Sequence, residues 1–320
     1  MKLLVTGVSG FVGQPLCVAL QKRDLPFRSS SRSQTSLVSG GNHVVVNMIG
    51  RDTDWSAALA GVDVVIHLAA RVHVMHEKAI DPLAEFQEVN LHGTVNLARQ
   101  AASAGVKRFV YVSTVKVNGE YTEDKPFSES DAPKPEYPYA VSKWQAEQGL
   151  YAIGRETGME IVIIRPPLVY GPGVKANFYS LLKLVSKALP LPLGSIHNRR
   201  SMIYVGNLAD ALITCATHPV AAGQVYLVSD GLDVSTPRLI SMIATAMEKP
   251  NRVFAFPVLL MRLAAKCIGK SHVVDRLTQS LQVDSSKIRT ELEWNPPYTM
   301  EQGIQVTVDW FIHAKNSKHD

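Results

Sequence analysis

A short apolar run, Lys2–Thr6, ends in Gly7-Val8-Ser9-Gly10-Phe11-Val12-Gly13 and passes straight into a helical pattern over Gln14–Lys22. Glycines at this spacing allow a strand to stop in a tight turn, with close helix–strand packing behind it. Short β-branched runs then alternate with helical patterns: His43–Met48, Val62–Leu68, an amphipathic stretch from Pro82 to Ala104, Phe109–Ser113, a helix near Tyr139–Thr157, and Glu160–Arg165. That alternation means βαβ crossovers, hence a parallel sheet covered by helices on both faces. Runs such as Val62–His67, apolar without a polar alternate, suit strands buried on both sides. The predicted class is α/β, with a doubly wound parallel sheet.

After Arg165 the texture changes. Pro166, Pro167, Gly171, Pro172 and Gly173 crowd together, followed by Pro190, Pro192 and Gly194. A last strand-like return is Gln224–Val228, and the final seventy residues read as helices plus a loop at Trp294-Asn295-Pro296-Pro297. We therefore expect a first unit over 1–166, with 205–235 returning to it, and a smaller mixed α/β unit over 167–204 and 236–320. At 320 residues, 46% apolar and 19% charged, the chain is long enough for both and excludes wholesale disorder.

The net charge of +5 has no run of five like charges and no aromatic–basic patch, so nucleic acid is not expected. Cys17, Cys215 and Cys267 have no ligand-like or pairing spacing, so no metal and no disulfide framework is expected. The chain opens directly into Lys2-Leu3-Leu4-Val5 without a secretory pattern, which predicts a cytoplasmic protein. One apolar segment, Val253–Ile268, is interrupted by Pro257, Arg262 and Lys266 and falls short of the roughly 20 apolar residues that span a bilayer. It reads as a buried or lid-forming helix.

The strand–turn–helix context makes the glycine turn a dinucleotide pyrophosphate site, with Gly7, Gly10, Phe11, Val12 and Gly13 against the cofactor. The second-strand region Phe27-Arg28-Ser29-Ser30-Ser31-Arg32-Ser33 holds no acid to read a ribose 2′-hydroxyl. Two arginines and four serines offer a phosphate cradle instead, so Ser31 and Arg32 favour NADP over NAD.

Tyr139-Ala140-Val141-Ser142-Lys143 places a phenol and an ammonium four residues apart on one helix face. A nearby ammonium, with an oxidised nicotinamide, is expected to lower the phenol's pKa from about 10 and let it exchange a proton with a substrate hydroxyl. The strand Arg108–Val112 delivers Ser113 and Thr114 at its carboxyl end, where α/β sheets place ligands.

Taken with TGVSGFVG (Thr6–Gly13), HLAA (His67–Ala70), Asn90-Leu91-His92-Gly93-Thr94 and RPPLVYGPG (Arg165–Gly173), these motifs make the chain resemble an extended short-chain dehydrogenase/reductase of the nucleotide-sugar epimerase/dehydratase group over essentially its whole length. The resemblance implies a Rossmann-type fold, usually a homodimer through two helices per subunit. It implies Thr114, Tyr139 and Lys143 as the catalytic set, and Leu68, Ala69, Ala70 and Asn90 beside the cofactor, with Ile49, Ser113 and Pro166 completing its pocket. Two departures stand out. NAD-specific members carry an acid where Ser31 stands, and many carry an adenine-contacting Asp where Met48 falls.

For the substrate, Asn177, Arg200 and Arg276 are candidates to hold the diphosphate or uracil of a UDP-sugar. Family dehydratases carry Asp-Glu after the hydroxyl residue. Here Val115-Lys116 stand instead, so dehydration is not expected. The expected activity is redox at C4 of a UDP-hexose or UDP-N-acetylhexosamine, as a 4-epimerase or an NADPH-dependent 4-ketoreductase. A 3β-hydroxysteroid-type dehydrogenase and a non-catalytic NAD(P) sensor are the alternatives on the same fold.

Overall fold

All four residues of Leu3–Thr6 (β1) are buried, so both faces of this strand need partners and it lies inside the sheet. The computed structural model describes residues 1–34, 42–72, 80–267, 269 and 271–316. Among them, β1 joins Phe27–Ser31 (β2), His43–Val45 (β3), Val64–His67 (β4), Arg108–Val112 (β5) and Glu160–Arg165 (β6). Two short strands follow, Leu168–Tyr170 (β7) and Met202–Tyr204 (β8), before Val225–Leu227 (β9) returns. The order is β3-β2-β1-β4-β5-β6-β9 with every pairing parallel, while β7 and β8 form a separate parallel pair. Strand order reverses between β1 and β4, and a crevice at their carboxyl ends is where such sheets take ligands.

Residues alternate across β1. Leu3 and Val5 pack with Leu16 and Leu20 of α1 (Gly13–Lys22), and Leu4 packs in the core of the opposite face. That face carries α2 (Ser56–Leu59), α3 (Pro82–Gln87), α4 (Gly93–Ser103) and α5 (Pro138–Thr157). Pro138 opens α5 at a position where its missing N–H costs nothing, and Gly158 closes it in the left-handed region at φ +76. Between α3 and α4 the single amphipathic stretch expected from Pro82 to Ala104 is broken by a wide π turn, Glu88–His92. The third strand is also shorter than expected. It ends at Val45, and Met48 is exposed, with its carbonyl accepting from Thr53 Oγ1 at 2.9 Å.

α6 (Ala176–Ser186) precedes β8, and α7 (Val205–Thr217) packs beside α1 on the sheet. α8 (Thr236–Ala246), α9 (Val258–Cys267), α10 (Ser271–Thr278), α11 (Ser286–Glu291) and α12 (Met300–Asn316) follow. Phe178 and Leu182 of α6, Ile240 and Ile243 of α8, and Ile304 and Val308 of α12 form a second core. The division is less clean than the sequence suggests. Ile288, Leu292 and Trp294 pack with the sheet's core, not the second one.

Candidate active site

Gly7 sits at φ +73, and a Cβ there would lie 2.8 Å from the backbone nitrogen of Ala69. A Cβ on Gly13 would lie 2.4 Å from the Gly7 carbonyl oxygen, so the turn closes on itself and on the end of β4. No side chain caps α1, whose Gln14 N–H donates to the Gly10 carbonyl at 3.4 Å and Leu16 N–H to that of Val12 at 3.2 Å, while Pro15 has no N–H to offer. Behind the turn, Ala69 N–H donates to Thr6 Oγ1 (3.3 Å), Thr6 Oγ1 lies 2.7 Å from His67 Nδ1, and His67 Nε2 lies 3.1 Å from Thr94 Oγ1. Burial first, and the charge of Lys143 second, push His67 down to about 3, so this chain is held by a neutral imidazole.

Tyr139, Lys143 and Glu147 follow one another at four-residue steps on α5. Glu147, fully buried, accepts from Arg165 Nε at 3.0 Å and Nη2 at 2.5 Å, while Arg165 Nη1 donates to Asn118 Oδ1 at 3.1 Å. That fork ties α5 to the end of β6. Lys143 is only 2% exposed and forms no ion pair among the described residues. Its Nζ stands 4.2 Å above the ring of Tyr111 on β5. Burial pushes Lys143 down to about 7, with Glu147 opposing, and burial pushes Tyr139 up to about 12. The expected lowering of the phenol by the ammonium is therefore not present in the chain alone. Desolvation of the phenolate is the cause that acts on Tyr139.

Ser113 N–H donates to the Ile164 carbonyl (2.8 Å) and Val115 N–H to that of Pro166 (3.0 Å), which stitches the ends of β5 and β6 together. Thr114 is buried and extended, and its Oγ1 accepts from Lys116 N–H at 3.3 Å, leaving its own proton to donate. Asn90, in the π turn, donates to the Arg71 carbonyl and to Ser142 Oγ, both at 3.0 Å, and accepts from Arg71 N–H at 2.8 Å. Its amide braces the pocket from behind. Leu68, Ala69 and Ala70 are half-buried at the mouth of β4, and Ile49 is packed where a Cβ on Gly93 of α4 would be 2.5 Å from it.

On the adenosine side the cradle is smaller than expected. Arg28 Nη1 donates to the carbonyls of Ala57, Ala58 and Ala60, Ser29 Oγ is 2.8 Å from His43 Nδ1, and Ser31 Oγ donates to the Ser33 carbonyl at 2.7 Å. Among the described residues of this region, Arg32 keeps its side chain exposed. In the second unit, Arg200 Nη1 donates to the carbonyls of Arg276 (3.0 Å) and Gln279 (3.3 Å). The fold thus brings the two arginines together but commits part of the first to its own backbone. Arg276 itself is exposed on α10, and Asn177 is exposed in the first turn of α6, bonded to neither. Gly173 approaches Phe11, with a Cβ there 3.6 Å from its ring, so the loop after β7 meets the glycine turn.

These residues fit a dinucleotide. The turn has no room for side chains at Gly7 and Gly13, no side chain caps α1, and Ser113 Oγ is buried without a hydrogen-bond partner among the described residues. Residues 3–229 match the NAD dependent epimerase/dehydratase family. The chain belongs to that family. Within it, a UDP-glucose 4-epimerase of Vibrio cholerae is 47% identical over 317 residues, covering 98% of this chain and 96% of the relative. A Thermus thermophilus UDP-glucose 4-epimerase solved with NAD has a TM-score of 0.76 at 25% identity, covering 98% of this chain and all of that one. A Bacillus cereus UDP-glucuronic acid 4-epimerase solved with NAD shares the fold, with a TM-score of 0.80 at 23% identity over 99% of this chain and 98% of that one.

Sequence reasoning missed Tyr111 and Glu147. Glu147 carried a usable signal, standing four residues beyond Lys143 on the same helix face. Tyr111 carried none, because an aromatic in a buried strand reads as core.

Proposed function

We propose that this family member oxidises and re-reduces C4 of a UDP-hexose or UDP-N-acetylhexosamine, with net 4-epimerisation as the outcome. The observation that carries it is the buried, unpaired Lys143 one turn from Tyr139, at the strand ends that present Ser113 and Thr114. The 47% identity to a relative named for UDP-glucose 4-epimerisation supports the substrate class. The sheet unit would hold the dinucleotide through Gly7–Gly13, Leu68–Ala70 and Ser113, and a bound nicotinamide would supply the hydride acceptor and donor.

The chain's own residues do the rest. Thr114 donates to the C4 oxygen and orients it. Tyr139, as the phenolate, takes the hydroxyl proton as hydride leaves and returns it when hydride comes back. Lys143, dry and near its titration point, becomes cationic when negative charge collects beside it, and then lowers the phenol's affinity for its proton. Arg200 and Arg276, joined through a backbone carbonyl, face the diphosphate, with Asn177 on the nucleotide.

A second reading has its own support. The exposed Arg32 after β2, with no acid beside it, suits a 2′-phosphate and therefore an exchanging NADPH-dependent 4-ketoreductase. Incubation with UDP-glucose, UDP-N-acetylglucosamine and a UDP-4-keto-hexose, with and without added NADPH, separates the two. C4-epimerised product without net cofactor consumption supports the epimerase. Stoichiometric NADPH loss on a 4-keto sugar, with no epimerisation, replaces it with the reductase. No turnover of either kind overturns both.

A further inference from the structure

The segment 249–274 holds five of the 33 Lys and Arg residues (Lys249, Arg252, Arg262, Lys266 and Lys270) and none of the 28 Asp and Glu residues. The remaining 294 residues therefore balance at 28 against 28, and the whole net charge of +5 resides in this one segment. Within it, α9 turns Val258, Met261 and Ala265 inward toward the second core. The opposite face is apolar and bare: Leu259 is 70% exposed, Leu263 53% and Leu260 49%, with Phe254 of the preceding loop 46% exposed beside them. Arg262 and Lys266 are exposed on the same helix, and the Arg262 guanidinium makes a long 3.4 Å contact to Thr278 Oγ1. Among the described residues no helix is long and apolar enough to cross a membrane. α9 is not the buried helix that the sequence allowed, and Ile268, at the end of that segment, lies outside the described residues.

We propose that α9 and the loop before it dock this protein on an anionic lipid surface, lying in the interface plane with Leu259, Leu260, Leu263 and Phe254 in the headgroup–acyl boundary. A helix with leucines on one face, cations flanking them and no acid in the segment matches what such an interface attracts on both counts. A second copy of the chain fits less well. A two-fold contact through this face would set Arg262 and Lys266 against their own images, and the segment holds no acid to compensate. The next helix, α10, is tied to the candidate substrate residues. Arg200 Nη1 donates to the Arg276 carbonyl at 3.0 Å, Asn198 Nδ2 to that of Leu277 at 3.2 Å, and Thr236 Oγ1 to the same carbonyl at 2.7 Å. Lipid contact at α9 would thus fix how these residues face the membrane.

The test is co-sedimentation of the full chain with phosphatidylcholine vesicles, with and without phosphatidylglycerol. We expect binding to the anionic vesicles that weakens with added salt, and little to the neutral ones. Leu259→Ser/Leu263→Ser and Arg262→Gln/Lys266→Gln should each lower the vesicle partition by about tenfold or more. Both should retain the thermal midpoint and the turnover of soluble substrate. Absence of binding to anionic vesicles at low salt overturns the proposal, as does equal binding to neutral ones or binding indifferent to both variants. A change of oligomeric state in the leucine variant would assign the face to a second copy and overturn it too.

Discussion

Helices α5 and α9 break the usual inside–outside rule in opposite directions. α5 takes a lysine and a glutamate into the core alongside Ala140, Ala146, Leu150 and Ile153, whereas α9 buries only Ala265 and leaves three leucines in water. Burying a charge costs several kcal/mol unless it is paired. Glu147 is paired with Arg165, but Lys143 has no ion-pair partner among the described residues, and burial makes it easier to deprotonate. Exposing leucine forgoes roughly 1.5–3 kcal/mol per side chain. Neither departure is repaid inside the chain, so each is best explained by something that binds there.

The largest effect belongs to Tyr139→Phe, which should lower turnover of a UDP-sugar by on the order of 10³-fold while the variant unfolds at the wild-type temperature. Turnover within tenfold of wild type would remove the proton-transfer role. Glu147→Ala should cost about 3–5 kcal/mol in chemical denaturation, because it strands Arg165 in the core. Glu147→Leu combined with Arg165→Met should recover much of that loss. A double variant as unstable as the single one would mean that packing, not charge, sets the cost.

Lys143 gives a pH signature. Its folded pKa of about 7 lies below the unfolded value near 10.5, so between these the unfolded chain binds the extra proton and stability rises with pH. Below about pH 7 both states carry the proton and the contribution is flat. Comparing unfolding free energies of wild type and Lys143→Met from pH 7 to 10 should show this slope only in the wild type. Parallel curves would mean that the ammonium is solvated after all.

Arg32→Ala should weaken NADPH binding by about tenfold and NADH binding little, read by fluorescence titration. Equal losses would remove the 2′-phosphate assignment. The smallest effect is expected on the outer face of α9, where Leu259→Ser and Leu263→Ser should each shift stability by no more than about 0.5 kcal/mol. Met261→Ser on the inner face should cost several times more. Equal costs on the two faces would show that the leucines are packed in solution, and the contrast with α5 would fail.

Much of this molecule is legible along the chain. β1, β4, β5 and β6 fall where uninterrupted apolar runs stand, and α5 begins one residue before Tyr139 and ends at Thr157. Local chemistry suffices there, since periodicity, proline and glycine each act within a few residues. The π turn at Glu88–His92 was hidden because one extra residue per turn leaves no mark on a helical pattern. The short β3 was hidden because Val46 is buried outside the strand and apolar content alone cannot tell the two apart. The fate of Arg28, spent on the last carbonyls of α2, depends on residues about thirty positions away.

The order of short-range motifs determined the doubly wound sheet, the glycine turn and the spacing of Tyr139 to Lys143, because each is settled by neighbours on the chain. Only the tertiary structure decided that Lys143 is dry and rests on Tyr111, that Arg200 meets Arg276, and that α9 shows its leucines to solvent. Desolvation and burial are properties of the packed whole. They arise from atoms far apart in sequence, and a linear pattern holds no record of which of them will close over a given side chain.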